Sequence, residues 1–198
     1  MDDAGLPAFY DDLDASLREA WTLLVRGAVD RRSPVHTPVV GNVAADGRPR
    51  LRAMVLRKAD PARRVLRFHT DWRSAKVADL ARDPQVAIHV YEPRAKIQLR
   101  IAGLARLHGP ESALAQAAWD GSRPQSRECY AQPQAPAAPL AHPHEADARL
   151  ADGRAHFSAL EVEALEIEWL YLLHKGHRRA RFVWAPEAGG WSKTWLAP

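Results

Sequence analysis

Apolar side chains at Phe9, Leu13, Leu17, Ala20, Leu23 and Leu24 recur at spacings of three and four. That period predicts an amphipathic helix over residues 8–27, acidic early and carrying Arg26 late. Gly27 and the Asp-Arg-Arg-Ser-Pro segment after it are expected to end the helix. Beyond residue 36 the period shortens to two. Residues 37–57 read as a β-hairpin turning at Asp46-Gly47, and residues 65–70 as a strand after the break at Asp60-Pro61. Ser74 stands at the N-cap position of a short helix that closes at Asp83-Pro84. Residues 86–91 and 96–108 form a second predicted hairpin, and 110–121 a helix opened by Pro110. The stretch 123–145 carries Pro124, Pro133, Pro136, Pro139 and Pro143 and is expected to be a long proline-rich loop. Helical turns are expected between it and residue 160. A strand over 162–173 has Leu165, Ile167, Trp169 and Tyr171 on one face. A turn at Lys175-Gly176 leads into a last hairpin, 178–186 with 191–198.

This order of elements predicts a mainly β fold, a β-barrel or sandwich with peripheral helices, in one domain spanning residues 1–198. Alternating strand–helix units are missing, as are GxGxxG and GxxxxGK[ST]. A doubly wound nucleotide fold is therefore not expected.

Composition narrows the setting. The chain has 198 residues, 46% of them hydrophobic, enough for one core. No apolar run approaches the roughly 18 residues of a membrane span, and the acidic N-terminus does not read as a secretory signal. One cysteine, Cys129, excludes an internal disulfide framework. A cytoplasmic location without membrane contact follows as the simplest expectation. The net charge is +4, and only five of the 28 basic residues are lysine. The arginines are dispersed rather than blocked, which argues against nucleic acid as a partner.

Candidate chemistry gathers between Arg52 and Gly103. Arg52 and Arg57 bracket one strand, Thr70 ends the next, and Ser74 with Lys76 opens a helix whose N-terminus favours an anion. Gln98, on the polar face of a strand with Lys96 and Arg100, can both donate and accept a hydrogen bond. His142-x-His144 lacks a third ligand nearby, so no metal is expected.

In this order and spacing the motifs resemble the pyridoxamine 5'-phosphate oxidase family. They are Arg52-Ala-Met-Val-Leu-Arg57, His69-Thr70-Asp71, Ser74-Ala75-Lys76 and Gln98-Leu-Arg100 with Gly103. The resemblance implies an FMN-binding split barrel working as a homodimer, with FMN at the subunit interface and a small-molecule substrate. By position it implies that Arg52, Arg57, Ser74 and Lys76 hold the phosphate side, while Met54, Val55 and Leu56 run along the flavin. It also assigns FMN contacts to His69, Thr70, Gln98, Gln125, Ser126, Trp169 and Arg181, and substrate contacts to His177 and Arg179. Two departures stand out. The middle residue of the phosphate element is Ala75 where the family has arginine, for which Arg73 is a candidate replacement. The substrate pair reads His177-Arg178-Arg179, the reverse of the family's Arg-x-His order. An FMN-dependent oxidoreductase of uncertain substrate is the leading expectation, and a flavin-carrying or flavin-sensing protein without turnover is the alternative. A basic barrel that binds nucleic acid or other anions without flavin is a third reading.

Overall fold

Helix α1 (Leu13–Val29) begins where the Asp12 carboxylate accepts the Ala15 N–H at 2.8 Å, and its Leu17, Ala20, Leu23 and Leu24 face is buried. The helix starts later and ends later than its sequence pattern predicts. Gly27 lies within it, not after it. A β-carbon at Gly27 would come within 2.6 Å of Val35, so the glycine lets the following turn pack against the helix instead of ending it.

The chain is described here from a computed structural model covering residues 5–174 and 176–198. Lys175, half of the expected Lys175-Gly176 turn, lies outside those residues. Among the described residues nine strands form one sheet: β1 (Val39–Val43), β2 (Pro49–Ala53), β3 (Leu56–Asp60), β4 (Val65–Asp71), β5 (Gln85–Glu92), β6 (Ile97–His108), β7 (Phe157–Tyr171), β8 (Arg178–Ala185) and β9 (Gly190–Leu196). Every pairing is antiparallel, in the order β2-β1-β5-β6-β7-β4-β3, with β8 and β9 added beside β7. Helices α2 (Ala75–Arg82), α3 (Ala113–Asp120) and α4 (Pro124–Arg127) complete the set.

The expected mainly β architecture is present, but the sheet is open. Its path ends at β2 and β3, with no ladder between them. Yet β2 and β3 are consecutive in the chain, joined only by Met54 and Val55. The sheet must therefore roll until its two ends nearly meet.

Three boundaries differ from the sequence expectation. The single strand read over 48–57 divides at Met54-Val55, because its halves pair with different neighbours. The helical turns expected before residue 160 include a 3-10 turn at Arg154–His156, but β7 starts at Phe157, five residues before the expected strand, and pairs Phe157–Glu163 with β4. A β-bulge between Ala102 and Gly103 turns Leu165 out of the face it was expected to share with Ile167. Gly103 is required there, since a β-carbon would lie 2.2 Å from the Glu163 carbonyl oxygen. The main core fills the roll under α1. A smaller cluster of Ala115, Trp119, Tyr130 and Phe157 sits beneath α3. The proline-rich stretch holds α4 and short 3-10 turns rather than continuous loop.

Candidate functional site

Alternation along β4 divides the sequence-predicted residues between two places. Adjacent residues of a strand point to opposite faces, and Thr70 and His69 do so here.

Thr70 belongs to a polar pocket at the start of α2. The Lys76 ammonium donates to the Thr70 hydroxyl at 2.8 Å and to the Ser74 hydroxyl at 3.0 Å. Ser74 occupies the N-cap position, but its hydroxyl donates to the Asp71 carbonyl at 2.7 Å, and no side chain caps α2. From β2, Arg52 donates to the Asn42 amide oxygen at 2.5 Å and to the Val40 carbonyl at 3.3 Å. Asn42 in turn donates to Asp79 on α2 at 3.2 Å, so the arginine is oriented without a direct ion pair. Burial, then the charge of Arg52, lowers the pKa of Lys76 from its ordinary value, with Asp71 opposing. Burial also lowers that of Arg52. Two half-buried cations thus sit with hydroxyls and an uncapped helix start, and neither is bound to a carboxylate among the described residues.

Arg73 does not replace the arginine missing at Ala75. Its guanidinium is held by the Asp71 carboxylate at 2.8 Å and by the Pro133 and Gln132 carbonyls at 2.9 and 3.0 Å. It fastens the proline-rich segment to the end of β4 instead.

His69 faces a cleft of about 380 Å³ with Arg57, Arg67, Ser122, Arg123 and Ser126 on its walls. The Arg57 Nε is buried without a partner. Arg67 is held by Glu161 of β7, with Nη2 2.8 Å from Oε1. The His69 ring meets Phe157 edge-on, with centroids 4.8 Å apart. Burial, then Arg57 and Arg67, lowers its pKa from 6.5 to about 4. Arg67, Ser122 and Arg123 were not among the sequence candidates. Arg67 was readable, since it stands two residues before His69 on the same strand face. The Asn42–Asp79 and Arg67–Glu161 partnerships join distant segments and had no local signal.

The remaining candidates lie elsewhere. Gln98 pairs with Leu170, and Leu170 with Arg179, while Arg100, Glu168 and Arg181 form the adjoining row. This is the outer face of the sheet. Glu168 accepts from Arg179 at 2.6 Å and from Arg100 at 3.0 Å. His177 is exposed and accepts the Leu173 N–H. Gln125 is exposed on α4. Along β7, the partner of His69 (Ala159) and the partner of Gln98 (Leu170) are separated by roughly 35 Å of extended strand. One chain does not bring its Gln98–Arg179–Arg181 group to its own cleft.

Trp169 requires a correction. It is 0% exposed, packed among Phe9 and Tyr171 under α1. The residue beside Gln98 on the outer face is Leu170, so the Trp169 indole cannot close over a ligand there. Leu56 and Met54 are likewise core residues, leaving their backbone, not their side chains, for any ligand contact.

The fold is that of a rolled antiparallel β protein with a hydroxyl-lined cation pair at the start of α2. Comparison with known proteins makes the class specific. The family model for the pyridoxamine 5'-phosphate oxidase FMN-binding domain matches residues 18–109. The pyridoxine/pyridoxamine 5'-phosphate oxidase of Novosphingobium aromaticivorans is 30% identical over 202 residues, covering 92% of each chain. That of Xylella fastidiosa is 30% identical over 176 residues, covering 81% of each. Two solved structures share the fold. One is a pyridoxamine 5'-phosphate oxidase-related, FMN binding protein from Nostoc punctiforme (TM-score 0.73, 21% identity, 98% of this chain and 99% of that one). The other is PhzG from Burkholderia lata in complex with tetrahydrophenazine-1-carboxylic acid (TM-score 0.76, 23% identity, 98% of each). The chain belongs to the pyridoxamine 5'-phosphate oxidase family.

Proposed function

We propose that the protein is an FMN-dependent oxidoreductase acting on a small molecule that bears an anionic group. The observation that carries this reading is the Arg52–Lys76 pair. Two half-buried cations bond only to neutral oxygens, with the Asp71 and Asp79 carboxylates near but bonded to neither, an arrangement that an external anion would stabilise. Ser74, Thr70 and the uncapped start of α2 add donors suited to a terminal phosphate, so the residues present fit FMN. When bound, the flavin supplies the redox chemistry, and the protein binds and orients the reactants. The adjoining cleft, with Arg57 and Arg123 unpaired by carboxylates among the described residues, suits the anionic end of a substrate.

The active form in this proposal is a cytoplasmic homodimer, with the whole chain as one FMN-binding unit. Two features support the dimer. Gln98, Arg179 and Arg181 reach a cleft only if that cleft belongs to another copy. The outer sheet face also exposes apolar side chains, Leu51 at 71% and Leu104 and Val183 more modestly. Two adjoining grooves of about 440 and 580 Å³ flank them.

Purified protein is expected to be yellow and to release FMN on denaturation. Colourless protein that also fails to bind added FMN would overturn the flavin reading. Leu51→Asp is expected to give monomers by light scattering and to weaken flavin retention with them. The reversed order of the substrate pair, His177 and Arg179, favours a second reading, a flavin carrier without turnover. It is the correct one if the protein does not accelerate reoxidation of its reduced flavin by oxygen or by any candidate acceptor.

A further inference from the structure

Among the cleft's side chains, one has no evident place in a site made only of fixed cations. His69 shares the wall with Arg57 of β3 and with Arg67 of its own strand. The groups facing it are accounted for on every side. From β3 come Arg57 and Lys58; from the segment after α1 come Arg31 and His36; from the α3–α4 turn come Ser122 and Arg123, and from α4 Ser126; beyond Phe157 lie Tyr130 and Cys129. From β7 comes the Phe157 ring, and Glu161 is engaged by Arg67, Arg63 and His108. Asp71, on the same face of β4, is engaged by Arg73. The carboxylates nearest the ring are therefore committed to arginines. Its remaining neighbours are cations, hydroxyls and an aromatic edge.

We propose that His69 is a proton-coupled anion ligand: an anion entering the cleft beside Arg57 and Arg123 brings a proton onto the imidazole, and the resulting imidazolium N–H donates to it. The surroundings of the ring favour its neutral form, because burial and both guanidinium groups disfavour a third positive charge. A bound anion reverses the second of these effects. It offsets the arginine field and adds its own attraction, so the imidazole pKa must rise on binding. By linkage, one proton is taken up with each anion wherever the pH lies between the free and bound values. The fixed guanidiniums supply attraction at every pH, while His69 supplies an increment that grows as pH falls. The inference deepens the proposed function, because it rests on the cleft being an anion site. It does not rest on which cofactor occupies the pocket at α2.

Sulfate is the suitable probe, since it does not titrate in the working range. Its affinity for the FMN-loaded protein would be measured by calorimetry from pH 4.5 to 7.5. The His69 ring pKa would be followed by NMR in the wild-type protein with and without saturating sulfate. The expected results are a higher ring pKa with sulfate and an affinity falling by up to roughly tenfold per pH unit between the two pKa values. His69→Gln is expected to remove that slope while still binding sulfate. Arg57→Ala is expected to weaken binding at every pH. An unchanged ring pKa, the same slope in His69→Gln, or no sulfate binding sensitive to Arg57→Ala would each overturn the proposal. Absence of flavin, by contrast, would strike only the cofactor assignment. The ring titration in wild-type protein keeps the test decisive if a variant folds poorly.

Discussion

The α2 pocket and the outer sheet face are both rich in basic residues, yet they treat charge in opposite ways. In the pocket, Arg52 and Lys76 bond to neutral oxygens and none of their partners is a carboxylate. On the outer face, Arg100 and Arg179 converge on the single carboxylate of Glu168. The first arrangement leaves cationic charge for an outside anion. The second sets two guanidinium groups on one carboxylate, so its charge is partly offset within the chain and its donors serve to orient and to complement another surface. Counting basic residues does not separate the two. The identity of each cation's partner does.

The largest effect tests whether Trp169 belongs with either region. As a core residue packed against Phe9 and Tyr171, its replacement by alanine is expected to cost about 3–5 kcal/mol of stability. Trp169→Phe is expected to retain most of the fold and flavin affinity. A stable Trp169→Ala protein with selectively weakened flavin binding would return the residue to the site.

Next comes acidification, which probes the cation-rich side through His69. Its pKa is near 6.5 unfolded and about 4 folded, so between those values the unfolded chain binds more protons. Stability is therefore full above about pH 6.5 and is lost as pH falls toward 4, by at most about 3 kcal/mol. Urea unfolding of wild type and His69→Gln in sulfate- and phosphate-free buffer should differ in slope over that window. Identical slopes would mean that the ring is not held neutral by its surroundings.

Lys76→Met removes a charged donor from the pocket. A charge-assisted contact contributes about 1.5–3 kcal/mol, so FMN affinity is expected to drop roughly 10- to 100-fold in a fluorescence titration. Chain stability should change little, because a half-buried cation without a carboxylate contributes little to folding. A loss of stability without loss of FMN would make the pocket a structural feature.

How much of this was legible in the sequence differs between the same two regions. The pocket lies on β2, the end of β4 and the start of α2, all within 25 residues, where alternation and one helix start place each side chain. The outer face depends on long-range pairing, and there the local reading was less reliable. The bulge at Gly103 moved Leu165 off its expected face, and β7 began five residues earlier because β4 pairs with its first half. The Trp169 assignment failed for a different reason. Its spacing with Ile167 and Tyr171 already put it on the apolar face, and only positional resemblance pointed to a ligand. Arg73 was a candidate phosphate ligand from its neighbours in sequence, whereas Asp71 and carbonyls some sixty residues away hold it.

The smallest expected effect is the sharpest on the difference itself. Arg100 is exposed, and its partner Glu168 keeps a second arginine when Arg100 is removed. Arg100→Ala should therefore change stability by less than about 1 kcal/mol. If the Arg100–Glu168 pair serves only its own chain, FMN affinity at low protein concentration should be unchanged as well. If this face completes a neighbouring copy's site, the same substitution should shift the concentration at which flavin is retained without touching unfolding. The pair of measurements therefore separates an ion pair that serves its own chain from one that serves an interface, which neither measurement does alone.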